Sequence, residues 1–421
     1  MTELIPPLAD DTRRILNSLT EIIDKTFPLP ARFRPGLKHD VAELSRLFTS
    51  GREDRGGSYL GKPALLSAYL RYFLPWNIYR LCRLFGALPL SLKANDSIND
   101  LGAGPLTLAA SLWISRPELR SVPLEFRCVD RTAAVMEAGR EFFAALISAV
   151  QPAGNHAGGP AEHSAVCPWT IKTIRGEIKR NGNLSTEIRG KPAALSAAVN
   201  LYNELFWDFS PADSEGLNRF AGKQARLLSS LTDSAGSILV VEPGIPRSGE
   251  FISLLRANLM EEDRPPLSPC VHKSVCPLPG NRYGAKAKWC HFAFDTEDAP
   301  AELHKLSAAA KIPKERAVLS FILAGPVSPE RQSRGRAVSA GPVKIRVISD
   351  AFPVGGRENA QIVKNNWGRY GCGESGLVLV TGGRDELERL PPGALEELPL
   401  LNGARDEKSG AMIAPITRHH F

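Results

Sequence analysis

No run of eighteen or more apolar residues occurs in this chain, which excludes a membrane-spanning helix. The first residues, MTELIPPLADDTRR, lack the basic-then-apolar layout of a secretory signal, so a cytoplasmic protein is expected. No internal repeat is visible. In a reducing compartment disulfides are rare, and the seven cysteines are therefore expected to be free thiols or metal ligands. The composition is otherwise that of a soluble globular protein, with 43% apolar and 23% charged residues. A length of 421 residues is enough for two or three domains, each with its own core.

Residues 1–95 read as helical. In ALLSAYLRYFLPWNIYRLCRLFGAL (Ala64–Leu88) the apolar residues recur every three or four positions, and Pro75 is expected to break or kink the run. The charged stretch 51–57 reads as a flexible link. From about residue 96 short apolar runs alternate with helical patterns. Strands are expected at Ser97–Leu101, Glu125–Val129, Ala194–Leu201 and Ser237–Val241. Helices are expected at Leu106–Trp113, Ala133–Val150, Gly216–Thr232 and Gly249–Met260. Such alternation predicts a parallel sheet flanked by helices, an α/β fold. Residues 151–166 are rich in Gly, Ala and Pro and read as a surface loop. Further on, Pro300–Ala310 reads as a helix and Ala317–Ala324 as a strand, and the runs Val343–Ser349 and Gly376–Thr381 suggest a small β element. Residues 384–421 are acidic and interrupted by Pro and Gly, which predicts a loose tail.

The sharpest local motif is Asn99-Asp100-Leu101-Gly102-Ala103-Gly104-Pro105-Leu106-Thr107, between an expected strand and an expected helix. Glycines there allow a tight turn and a close approach to a ligand. The next strand ends at Asp130, 26 residues beyond Gly104, where an acid can accept hydrogen bonds from two ribose hydroxyls. A dinucleotide G-x-G-x-x-G turn would need glycine where Thr107 stands. Asp100 before the first glycine fits the D-x-G-x-G pattern of S-adenosylmethionine (SAM) sites better. A plain structural turn is the competing reading. Asp100, Gly102, Ala103, Gly104 and Asp130 are therefore candidate cofactor-binding residues.

Methylation of a base nitrogen often uses an Asn/Asp-Pro-Pro-aromatic loop after the fourth strand. Here that place holds Tyr202-Asn203-Glu204-Leu205-Phe206-Trp207, without a Pro-Pro pair. Asn203 and Glu204 are the catalytic candidates, as acceptors of hydrogen bonds from a substrate amine; Phe206 and Trp207 read better as core. Glu242-Pro243-Gly244 is placed at the mouth of the same pocket.

The segment Ser268–His291 has almost no apolar periodicity, so thiolates on a metal or cluster are a plausible means of ordering it. Five residues separate Cys270 from Cys276 and thirteen separate Cys276 from Cys290, an irregular spacing that suits a cluster better than a zinc knuckle. Cys372, His291 and His272 are each available as a fourth ligand. Cys82, Cys128 and Cys167 lie in apolar surroundings and read as packing residues. Residues 331–370 carry eight Lys or Arg against two acids, a patch able to attract polyanions.

Together, Asp100–Gly104, Asn203-Glu204-Leu205, Val241–Gly244, Arg247-Ser248-Gly249, Cys270…Cys276 and Trp289-Cys290-His291-Phe292 resemble one family. It is the methyltransferase-like family associated with the mitochondrial small ribosomal subunit, with its bacterial homologues. The resemblance covers most of residues 40–380. It implies a Rossmann-like SAM-dependent methyltransferase core with an N-terminal helical extension, a Cys-rich metal-binding insertion and a small C-terminal β-rich element. The implied organisation is helical at 1–95, methyltransferase-like at 96–325 with the insertion at 263–299, basic and β-rich at 326–383, and a flexible acidic tail at 384–421. It further implies SAM as cofactor, a [4Fe–4S] cluster (alternatively zinc) on Cys270, Cys276, Cys290 and Cys372, and small-subunit ribosomal RNA as partner. A monomer off the ribosome is expected, cytoplasmic or, in a eukaryote, in the mitochondrial matrix. Three activities compete: an RNA methyltransferase, a non-catalytic ribosome assembly factor, and a small-molecule methyltransferase with structural zinc.

Overall fold

The computed structural model describes residues 3–51, 59–150, 167–210, 212–278, 288–328, 341–354, 367–401 and 403–416. Of the expected link at 51–57 only Gly51 is described, and the expected loop at 151–166 lies outside the described residues.

The amino-terminal region is helical: α1 (Asp10–Thr26), α2 (Leu37–Phe48), α3 (Pro63–Ala68) and α4 (Leu74–Phe85). Pro75 does not break the run. A π-helical turn at Tyr69–Phe73 joins α3 to α4 directly ahead of it, and the helix continues through Pro75. Tyr79 and Arg83 of α4 both bond Asp298, the latter at 2.8 Å, which ties this region to the far side of the main sheet.

Along the chain follow β1 (Asp96–Leu101), α5 (Thr107–Ser115), β2 (Leu124–Asp130), α6 (Ala133–Val150), β3 (Trp169–Arg175), β4 (Ala193–Val199), α7 (Tyr202–Leu205), α8 (Ser214–Leu231), β5 (Thr232–Pro243) and α9 (Pro246–Glu261). Then come β6 (Pro266–Ser268), β7 (Phe292–Asp295), α10 (Ala301–Ala309) and β8 (Arg316–Ala324). These strands form one eight-stranded sheet in the order β3-β2-β1-β4-β5-β8-β6, with β7 also paired to β8. The first five in sequence run parallel, and β8 is antiparallel to β5, β6 and β7. Both faces are covered, so strands such as Ser237–Val241 are apolar without alternation. Helix α5 is buried all round for the same reason, lying against α4 and α6. This is a mixed α/β fold with a parallel sheet, as a Rossmann-like methyltransferase core has. The segment 263–299, expected as an insertion, contributes β6 and β7 to this sheet. β8 is long enough, at nine residues, to pair with both while still pairing with β5.

A second, six-stranded sheet is built from β9 (Val343–Val347), β10 (Phe352–Pro353), β11 (Trp367–Gly373), β12 (Gly376–Gly382), β13 (Leu395–Leu398) and β14 (Met412–Pro415), with α11 (Arg384–Glu388) packed on it. The tail expected to be loose is therefore folded through residue 416. Leu387, Leu390, Leu398 and Ile413 are buried, and β14 runs parallel to β12.

Candidate methyl-donor cleft and cysteine cluster

In the main sheet the chain runs outward from β1 through β2 to β3, then returns to place β4 on the other side of β1. The connections after β1 and β4 therefore part, and a crevice opens at the carboxyl ends of the strands. It is a cleft of about 1120 Å3. Gly102, Ala103 and Gly104 form one wall, and Asp100, Asp130, Asn203 and Glu204 also line it. The sequence candidates for donor binding and for chemistry thus meet in one cavity.

The turn after β1 is strained. Gly102 (φ +72°), Gly104 (φ +51°) and Leu106 (φ +59°) all lie in the left-handed region. α6 presses on it from behind: a Cβ on Gly139 would stand 2.5 Å from the carbonyl carbon of Pro105. Asp130 braces the turn from the end of β2. Its Oδ2 accepts from the Gly104 N–H at 3.0 Å, and its Oδ1 from the Thr132 N–H at 2.8 Å. Each carboxylate oxygen has a second lone pair, so ribose hydroxyls can still donate to it. Asp100 is buried with no partner for Oδ2, and burial with the nearby Asp130 charge pushes its carboxyl up to about 8.

After β4 the chain passes Asn200, itself at φ +54°, and turns into the short α7. Glu242 at the end of β5 holds this turn from below. It accepts from the Tyr202 N–H at 2.7 Å, the Asn203 N–H at 3.1 Å and the Asn203 side-chain amide at 2.9 Å. Glu242 was expected at the pocket mouth; instead it is fully buried, and burial pushes its carboxyl up to about 7. Only Pro243 and Gly244 of that trio reach the cleft. Glu204 faces Arg131 at 3.7 Å. Phe206 packs on Phe220 and Phe251, as the core reading has it, while Trp207 is half-buried on the cleft wall.

Sequence patterns did not single out the roof. Phe48, Tyr69, Phe73, Trp76, Asn77 and Arg80 of the helical region line the cleft, with Lys314 from the connection just before β8. Helical periodicity marks these residues only as one face of a helix. Position 314, by contrast, carries no signal at all.

The four candidate sulfur ligands lie within electrostatic reach of one another. Cys290 and Cys372 are buried, and Cys270 and Cys276 half-buried. Burial pushes the Cys290 thiol well up, and the Cys372, Cys270 and Cys276 sulfurs beside it push it further. Cys372, on β11, is raised by burial and then by Cys270 and Cys276. Arg256 donates to Cys270 Sγ at 3.2 Å, and Arg346 of β9 donates to the Pro269 carbonyl at 3.1 Å. Among the described residues no group of three or more His, Cys, Asp or Glu side chains is arranged to hold a metal ion. Cys82 and Cys128 are buried packing residues, whereas Cys167 is only half-buried.

Three of the eight cations in the basic stretch 331–370 are among the described residues. Arg346 and Arg369 are buried and spend their donors on backbone carbonyls, those of Pro269 and Gly393 and those of Leu387 and Ser349. Lys344 lies 3.6 Å from Glu397. The rest, Arg331, Arg334, Arg336, Arg357 and Lys364, lie outside the described residues.

A protein-family model matches residues 214–354. The family is Rsm22, described as mitochondrial small ribosomal subunit Rsm22. The resemblance read from the residues is upheld over this stretch, which holds Cys270, Cys276 and Cys290 but neither Cys372 nor the glycine turn. No curated protein matches the chain. Among solved structures, it is similar to a putative class I S-adenosylmethionine-dependent methyltransferase from Listeria monocytogenes, at 10% identity over 78% of this chain and 90% of that one, TM-score 0.34. An O-methyltransferase family protein from Burkholderia thailandensis matches at 11% identity over 70% and 73%, TM-score 0.34. CalO1, a methyltransferase in calicheamicin biosynthesis in its SAH-bound form, matches at 15% over 71% and 73%, TM-score 0.29. Superpositions this loose carry no weight here beside the strand order. No helix among the described residues is long and apolar enough to cross a membrane.

Proposed function

We propose that this Rsm22-like chain is a SAM-binding, methyltransferase-like protein that acts on or clamps the RNA of the small ribosomal subunit. The observation that carries the reading is the convergence of the glycine turn, Asp130 and the α7 turn on one cleft at the switch point of a parallel sheet. A Cβ on Gly104 would meet nothing within 4 Å, so the turn leaves open space for a ligand to approach the backbone. When bound, the donor supplies an electrophilic methyl group. The residues of the chain hold and align: Asp130 takes the ribose hydroxyls, and the turn at Gly102–Gly104 lets the backbone come close. Glu204 and the amide oxygen of Asn203 accept hydrogen bonds from an acceptor amine, with Glu242 fixing the Asn203 amide. Such transfer needs in-line positioning more than acid–base chemistry.

Asp130→Ala tests this directly. Titration calorimetry should show SAM affinity falling about 100-fold, the loss of two charge-assisted hydrogen bonds. Unchanged affinity would remove the nucleoside from this cleft. The missing Pro-Pro loop and the engagement of the Asn203 amide by buried Glu242 favour a second reading, an assembly factor in which the donor is a structural ligand. Ribosome maturation that survives Glu204→Gln but not Asp130→Ala would support that second reading.

The finer part of the proposal is an iron–sulfur cluster on Cys270, Cys276, Cys290 and Cys372. Its support is the donor set itself: four thiols from distant parts of the chain, each raising or facing another, in a buried site lined by Arg256 and Arg346. A four-iron cluster offers four separate corners, each to one thiolate. Iron and acid-labile sulfide analysis of anaerobically purified protein decides it; zinc, or no metal, would end the cluster reading.

A further inference from the structure

Among the described residues, two cations stand in the roof of the cleft without a carboxylate in contact. Arg80 of α4 donates to three neutral acceptors: the Asn77 side-chain oxygen at 2.6 Å, the Val318 carbonyl at 3.2 Å and the Asn200 side-chain oxygen at 3.5 Å. Lys314 is half-buried beside it, with its ammonium 5.9 Å from the Trp76 ring. Among the described residues neither forms an ion pair with a carboxylate. The neighbouring charges are already matched to others, Arg131 to Glu204 and Arg316 to Asp350. Two like charges brought together in a half-buried cavity repel and lose hydration. That cost is visible on Lys314, whose amine burial and Arg80 push down to about 8. Such a pair is tolerated where an anion completes it.

The surroundings say which anion. Tyr69 stacks on Phe73 at 5.9 Å, and its hydroxyl, bonded to Asn77, faces Glu204, Asp130 and Arg80. Tyr69, Phe73 and Trp76 therefore line the cleft together with the two cations. We propose that Arg80 and Lys314 form a phosphate subsite in the cleft roof, which holds the backbone phosphate of a nucleotide whose base enters against Tyr69. The inference rests on the function proposed above, because it makes an RNA strand the acceptor or the clamped ligand. It moves the phosphate grip from the basic stretch 331–370, two of whose arginines are buried, to residues 234 apart in sequence that the fold brings together.

The test uses the full chain and a fluorescein-labelled twelve-nucleotide single-stranded RNA, with affinity measured by anisotropy across a salt series. Lys314→Met should weaken binding about tenfold and make the slope of log Kd against log salt shallower by about 0.7, one phosphate contact on a single strand. Lys314→Arg should restore both. SAM affinity, measured on the same samples, should be unchanged in each variant. The Lys314 ammonium makes no hydrogen bond among the described residues, so Lys314→Met should fold with an equal or higher Tm. An unchanged salt slope in Lys314→Met would overturn the subsite, while Asp130→Ala separately tests the donor site. A fall in SAM affinity on Lys314→Met would also overturn it, by giving the cation to the donor. Adenosine 5′-monophosphate competing more tightly than the RNA, in a Lys314-dependent way, would keep the phosphate chemistry but make a free nucleotide its source.

Discussion

The cleft and the cysteine cluster are assembled in opposite ways. The cleft is built from local pieces: a strand, a five-residue turn and a helix place Gly102, Gly104 and Leu106 within one short stretch, and β2 adds Asp130 next door. The cluster has no local scaffold. Cys270 and Cys290 flank strands of the main sheet, whereas Cys372 arrives on β11 of the second sheet, opposite Arg346. Damage to the cleft should therefore cost ligand affinity, and damage to the cluster should cost the junction between the sheets.

The largest effect is expected at that junction. On the proposed cluster, Cys372→Ser should abolish iron loading and lower Tm by about 10 °C, because metal binding and ordering of the segment would share one free energy. Cys167→Ser, outside the cluster, should change neither; equal losses from both would erase the contrast. Next comes Gly139→Ala on α6, where a new Cβ would meet the Pro105 backbone. It should cost about 2 kcal/mol in stability by urea unfolding and weaken SAM binding through the turn, while leaving iron content intact.

The smallest effect is a pH dependence. Asp100 holds its proton up to about 8 when folded, against 3.8 as the ordinary value. Its contribution to stability is therefore fully present below pH 3.8 and is lost as pH rises through about 8. Glu242 acts with the same sign, but its part is complete by about 7. Between pH 7 and 8 the decline in Tm should thus come from Asp100, and Asp100→Asn should flatten it. A slope unchanged in that variant would mean that Asp100 is ionised already.

Local signals were readable and long-range ones were not. The β1–α5 turn announces itself because glycine and aspartate are needed there by backbone geometry, whatever packs around them. Cys270, Cys276 and Cys290 stand out because their segment has no apolar pattern to fold on. By contrast, Arg346 and Arg369 count as surface charge in a sequence, and become buried ties to carbonyls only when β9 and β11 pair. The stretch beyond residue 384 looked loose because Pro and Gly interrupt it, yet β13 and β14 find partners in strands already formed. The burial of Glu242 beneath α7 was equally hidden, since it depends on a turn 39 residues earlier.

Taken alone, the order of residues determined the alternation of strands and helices, the glycine turn with its acid at the end of β2, and the identity of the thiols. Each follows from periodicity or from a conformational demand felt within a few residues. Tertiary structure decided which charges meet water and which are buried, that a π-turned helix roofs the cleft with Tyr69 and Arg80, and that Cys372 reaches Cys290. Those outcomes depend on contacts between segments far apart in the chain. Burial and electrostatic pairing are properties of the assembled neighbourhood, and no single stretch carries them.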